Sequence, residues 1–107
     1  MEKLRFLTQA DENGRIETIE IGGLLVLETA LELKSELVDV ANRLSNNVKI
    51  TICDLEEMDL SAAQLLVAFI RQMNQKELKF QIEWNIGKEQ KSLFVNVGIG
   101  VELFMNN

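Results

Sequence analysis

Val48-Lys49-Ile50-Thr51-Ile52-Cys53-Asp54-Leu55 runs directly into Glu56-Glu57-Met58-Asp59-Leu60-Ser61-Ala62-Ala63-Gln64-Leu65-Leu66. The first part is a β-branched run and reads as a buried central strand over 48–55. An acidic turn follows. The chain then enters a helix from Ser61 to about Asn74, with Ala62, Leu65, Leu66, Phe69, Ile70 and Met73 on one face. Ser61-x-x-Gln64 has the pattern of a capping box, which makes Ser61 the expected N-cap.

Upstream, Leu4–Thr8 and Arg15–Gly22 are strand-like and are joined through Asp11-Glu12-Asn13-Gly14, whose Asn-Gly is a hairpin signal. Gly22-Gly23 lets the chain change direction, and Leu24–Leu27 forms an apolar bridge into a second helical segment. There Thr29 is the expected cap, with Glu32 completing the box. Leu33, Leu37, Val40, Ala41 and Leu44 share a face, and Ser45-Asn46-Asn47 closes the helix. Downstream, Leu78, Phe80, Ile82 and Trp84 alternate with Lys79, Gln81 and Glu83, a strand with one wet face. Lys88–Val97 is a weaker helix offering Leu93, Phe94 and Val97, with Gly98 placed to stop it. Ile99–Met105 carries Val101, Leu103 and Phe104 and is expected to form a last short helix or turn against the core.

The resulting order, ββαβαβα, implies a single α/β domain spanning 1–107. Its mixed sheet has about four strands, with helices mainly on one face because Lys79, Gln81 and Glu83 need water. Proline is absent, and no repeat, linker or low-complexity tract interrupts the chain.

Composition excludes several functions. Of 107 residues none is histidine, so the commonest general base and metal ligand is missing. No glycine-rich phosphate loop occurs. An enzyme here would have to work with carboxylates and lysines alone, and we expect none. A formal net charge of −6 and a pI near 4.6 argue against nucleic acid. Mean hydropathy is +0.03, and no apolar stretch is long enough to cross a bilayer. The lone Cys53 suits a reducing compartment, so a cytoplasmic protein without membrane insertion is expected. Cys53 reads as a small core filler, Trp84 as packing, and Leu24–Leu27 as core.

The candidate site is the acidic turn. A hydroxyl at Ser61 is expected to be exposed at the positive end of a helix dipole and ringed by Asp54, Glu56, Glu57 and Asp59. Such a serine can carry a phosphate, or it can serve only as a cap. Asp59 either holds the turn through backbone amides or positions the hydroxyl. The four carboxylates have the chemistry of a Mg²⁺ site, but the simpler reading is a solvated acidic edge, with no metal and no cofactor. A receiver domain would use Asp54 as phosphoacceptor. It is rejected because Asp11-Glu12 lead into a hairpin and a fifth βα unit with its lysine is missing.

Three segments give the chain a resemblance to the STAS family, the sulphate-transporter and anti-sigma-factor-antagonist domain. Gly23–Leu33 is similar to that family's G-E-L-D-L-x-T-A-P-E-L stretch. Asp54–Leu66 is similar to D-L-x-x-x-x-D-S-S-G-L, whose second serine is the phosphoacceptor and falls on Ser61. Lys91–Phe104 is similar to its L-L-x-x-x-G-L-x-x-L-F ending. The chain departs from the pattern at Leu24 and Val26 (acidic in the family), Leu31 (proline), Leu60 (serine) and Ala62 (glycine).

The resemblance implies a phosphorylation-switched interaction module like an anti-sigma factor antagonist. Its partners would be a GHKL-type serine kinase that doubles as an anti-sigma factor, bound while Ser61 is unmodified, and a serine phosphatase. Asp54, Glu56, Glu57, Asp59, Leu60 and Ala62 would form the partner-binding surface. The alternative is a constitutive STAS subunit of a transporter or sensory complex in which Ser61 is never modified.

Overall fold

The structure, a computed structural model, describes residues 3–96 and the side chains of 3–94. Strands β1 (Leu4–Ala10) and β2 (Ile16–Leu25) form the hairpin. Its turn is held by the Asp11 carboxylate, which accepts from the amides of Asn13 and Arg15 at 2.9 Å each. The chain then passes through α1 (Leu27–Ala41), β3 (Leu44–Met58), α2 (Leu60–Gln75), β4 (Phe80–Trp84) and α3 (Lys88–Asn96).

The sheet order is β1-β2-β3-β4, antiparallel between β1 and β2 and parallel thereafter. Both helical crossovers step in the same direction across the sheet. Since such connections are right-handed, α1 and α2 must lie on the same face.

Register makes that face apolar. Ile19, Ile50 and Ile82 stand side by side in one row, and Ile21, Ile52 and Trp84 in the next. All six are buried, as are Leu33, Leu37 and Val40 of α1 and Leu66, Phe69, Ile70 and Met73 of α2. Val48, Ile50 and Ile52 are exposed by 1%, 2% and 1%, so the 48–55 segment is an inner strand as its β-branched pattern predicts, buried on its helix-covered side alone. Phe94 of α3 closes the core edge-on against Trp84, with ring centroids 4.7 Å apart.

The alternate rows, Thr18–Lys49–Gln81 and Glu20–Thr51–Glu83, form the other face. Ion pairs cross it from Arg5 to Glu20 at 3.1 Å and from Lys49 to Glu83 at 3.5 Å. Cys53 belongs to this side as well. It is half-buried beside Arg5, not a core filler, because alternation from Ile50 and Ile52 carries the next residue outward.

Several boundaries differ from expectation. The helix expected to be capped by Thr29 begins at Leu27, and Leu24 and Leu25 still pair with Glu57 and Met58 of β3. Leu44 is not on the helix face but opens β3 opposite Ile16. The acidic segment is no free turn, since β3 continues through it to Met58.

That continuation needs extra residues on β3, because Ile21 pairs with Ile52 while Gly23 pairs with Leu55 and Leu24 with Glu57. Asp54 absorbs the first bulge with φ 53°, and Gly23 opposite has φ 78°. A side chain at Gly23 would strike the Lys3 carbonyl, and one at Gly22 would meet the Cys53 carbonyl and the Arg5 guanidinium.

Strand β4 starts at Phe80, later than Leu78. A Schellman turn occupies the gap: Glu77, at φ 58°, donates its amide to Asn74, and the Leu78 amide reaches Met73. The expectations for Val97, Gly98 and Ile99–Met105 lie outside the described residues.

Candidate functional site

Because β2 and β3 are parallel neighbours, they deliver α1 and α2 from the same end of the sheet. The starts of the two helices therefore lie side by side, and Asp59 stands between them. Its amide donates to the Leu25 carbonyl at 2.9 Å, which fixes the end of β3 against the end of β2. Its carboxylate then serves both helices. Oδ2 accepts from the Leu27 amide of α1 at 2.8 Å, while Oδ1 accepts from the Ala62 amide at 3.2 Å and the Ser61 hydroxyl at 2.6 Å.

This arrangement answers a need in α1. The residue at its N-cap position is Val26, whose side chain has no acceptor. The Leu27 amide is therefore satisfied from the neighbouring chain segment. The Val26 amide donates to the Thr29 hydroxyl at 3.1 Å, and that hydroxyl donates to the Leu24 carbonyl at 2.8 Å. Thr29 thus acts from within the first turn, not as the cap.

Ser61 is likewise not the N-cap. Asp59 holds that position, with extended φ −119° and ψ 178°, and Ser61 is the second helical residue. Asp, Ser and Thr are all good caps. Pairing of Leu25 with Met58 decides between them by fixing where the strand must end.

The Ser61 hydroxyl is half-buried instead of exposed, and its proton points to the Asp59 carboxylate. Partial burial alone would raise the carboxyl pKa of Asp59. The bonds from the Ser61 hydroxyl and the amides of Leu27, Ala62 and Ser61 outweigh it and hold the group below its ordinary value. Asp59 is therefore charged at neutral pH and a poor base, an orienting group for the hydroxyl.

The expected acidic ring opens out. Asp54 is exposed and turned toward Arg5, whose Nη2 lies 3.4 Å from Oδ2. Glu56 and Glu57 are exposed on the bulged end of β3. Among the described residues no hydrogen bond links these three to Ser61, and no group of three or more acidic or cysteine side chains is placed to hold a metal ion.

Leu60 is 46% exposed beside Ser61 and is available to a partner. Ala62 is 0% exposed, so its side chain belongs to the core and not to a docking surface. Sequence reasoning missed Leu27, placed in the core with Leu24–Val26. Leu25 and Val26 are buried, but Leu27 is 68% exposed at the shared helix junction. The signal was present, since Leu27 and Leu31 lie one turn apart and off the Leu33–Leu37–Val40 face.

The Cys53 thiol is not activated by its surroundings. Burial and the carboxylates of Glu20 and Asp54 push its thiol pKa up, against the opposing effect of Arg5. No helix among the described residues is long and apolar enough to cross a membrane. No protein-family model matches the chain, and a search of curated proteins finds no relative.

Proposed function

We propose that the chain is a STAS-type interaction module, without catalysis of its own, whose docking is switched by phosphorylation of Ser61. One observation carries the reading: the Ser61 hydroxyl sits in the first turn of α2, oriented by the Asp59 carboxylate at 2.6 Å. Helix N-termini favour anions, so the fold has amides to offer a phosphate there. The same phosphate would meet the negative charge of Asp59, which holds the Leu27 amide of α1. Adding about −1.5 to −2 charges at that point sets phosphate and carboxylate in competition for the same donors. The surface a partner meets, with Leu60 at its centre and Glu56, Glu57 and Asp54 beyond, then changes both in charge and in the seating of α1.

On this reading the unmodified protein binds a cytoplasmic GHKL-type serine kinase or anti-sigma partner, and a serine phosphatase restores the binding form. A second reading, a constitutive STAS subunit of a transporter or sensory complex, draws on a different aspect of the same contact. There the half-buried Ser61 hydroxyl serves only to bind Asp59. Intact-mass measurement with phosphopeptide mapping on protein from its native cells separates the two. One phosphate on Ser61 supports the switch, and unmodified Ser61 in every growth condition supports the subunit.

A further inference from the structure

Helix α1 has three distinct sides. Leu33, Leu37 and Val40 face the core, whereas Leu27, Leu31 and Val38 are 68%, 80% and 62% exposed. At about 100° per residue the exposed three fall within about 40° of each other, an apolar stripe along the outside of the helix in which the exposed Lys34 stands between Leu31 and Val38. Single exposed leucines are ordinary, but an aligned set on one helix is not what a solvated surface requires.

The two margins of the stripe differ. On one side a groove of about 160 Å³ separates α1 from α2, lined by Lys34, Val38, Leu65 and Ala68 among others. On the other side stand the exposed carboxylates of Glu28, Glu32 and Asp39. Asp39 is tied to Arg43 at 2.7 Å, while Glu28 and Glu32 are in no ion pair among the described residues.

We infer that this side of α1 docks an amphipathic helix of another protein, apolar on one face and lined with lysine or arginine along its edge. The apolar residues would enter the stripe and groove, and the cations would be confined to the margin away from Lys34, where they meet Glu28 and Glu32. Charge disfavours the other occupants. A second copy paired antiparallel through the stripe brings Glu28 and Glu32 of both chains to one rim, on a chain of net charge −6. An anionic lipid surface meets the same repulsion.

The test is a titration of the full chain, isotope-labelled for NMR, with a synthetic leucine–lysine amphipathic helix and with its leucine–glutamate counterpart. The lysine peptide should shift amides of α1 and of the groove side of α2, with affinity falling as salt rises. The glutamate peptide should not bind. Leu31→Ser and Glu28→Lys should each weaken binding about tenfold. Leu31 is exposed, so an unchanged Tm excludes unfolding as the cause. The titrated chain carries no phosphate, and Lys49→Ala on the open face of the sheet should leave this binding unaltered, which keeps the result separate from the modification of Ser61. Shifts scattered over the acidic surface, or an unchanged Kd for Leu31→Ser, would overturn the inference. A dimer in sedimentation that Leu31→Ser dissociates would assign the stripe to a second copy. Binding that appears only after removal of residues 97–107 would assign it to the chain's own end.

Discussion

At Asp59 a single carboxylate accepts the Leu27 amide of α1 together with the Ala62 amide and Ser61 hydroxyl of α2. Asp59→Ala therefore removes a cap from two helices at once. At about 1 kcal/mol per cap, it should destabilise the fold by about 2 kcal/mol in chemical denaturation. Ser61→Ala removes one hydrogen bond and should cost about 0.5–1 kcal/mol. The two losses should not add, since they share a contact. A larger loss for Ser61→Ala than for Asp59→Ala would return the cap to Ser61.

The pH dependence has a definite sign. Asp59 titrates below its ordinary value of 3.8 when folded, so its contribution is complete above the unfolded pKa and is lost as pH falls through the folded one. The stability gap between wild type and Asp59→Asn should hold at pH 7 and narrow below about pH 4. A gap that widens in acid would mean that the charged form is not the one the fold favours. The sequence pattern points to Ser61 as the cap, and the structure gives that place to Asp59. Asp59 and Ser61 are both capable, and only the long-range bond from the Asp59 amide to Leu25 selects one.

The bulged end of β3 is what brings Asp59 to this position, and it depends on the glycines opposite. Gly23→Ala combines a left-handed φ of 78° with a clash on the Lys3 carbonyl. It should cost about 2 kcal/mol or more, since the conformation alone accounts for about 1–2. The loss should appear as a lower denaturation midpoint; a wild-type midpoint would mean that the bulge is not needed. Glu77 is the opposite case, a non-glycine at φ 58° in a Schellman turn. Glu77→Gly should stabilise by about 1 kcal/mol, and a destabilised variant would show that the Glu77 side chain does more than the backbone suggests.

Strand and helix identities were legible from their period-two and 3.6-residue patterns, as in Ile50–Ile52 and Leu33–Leu37–Val40. The length of β3 was not, because a bulge is created by its partner strand and leaves no periodic trace. Cys53 was misplaced for a simpler reason: β-branched neighbours suggested burial on both sides, although β3 is covered on one side only.

Across the whole molecule, two right-handed crossovers in the same direction leave the sheet apolar beneath its helices and ion-paired on its open face. The same topology sets the N-termini of α1 and α2 beside one another, and so places Ser61 where added charge acts on two helices. Ser61→Asp puts a second carboxylate against Asp59. It should weaken partner binding by roughly a hundredfold, about 3 kcal/mol, with a small loss of Tm. Wild-type affinity of the folded variant and of the phosphoprotein would leave the constitutive subunit as the better reading. The most direct measurement is phosphopeptide mapping of the intact chain from its native cells. A switch requires a phosphate on Ser61 in one growth state and its absence in another. A phosphate confined to Thr29 or Ser92, or none in any state, would contradict it.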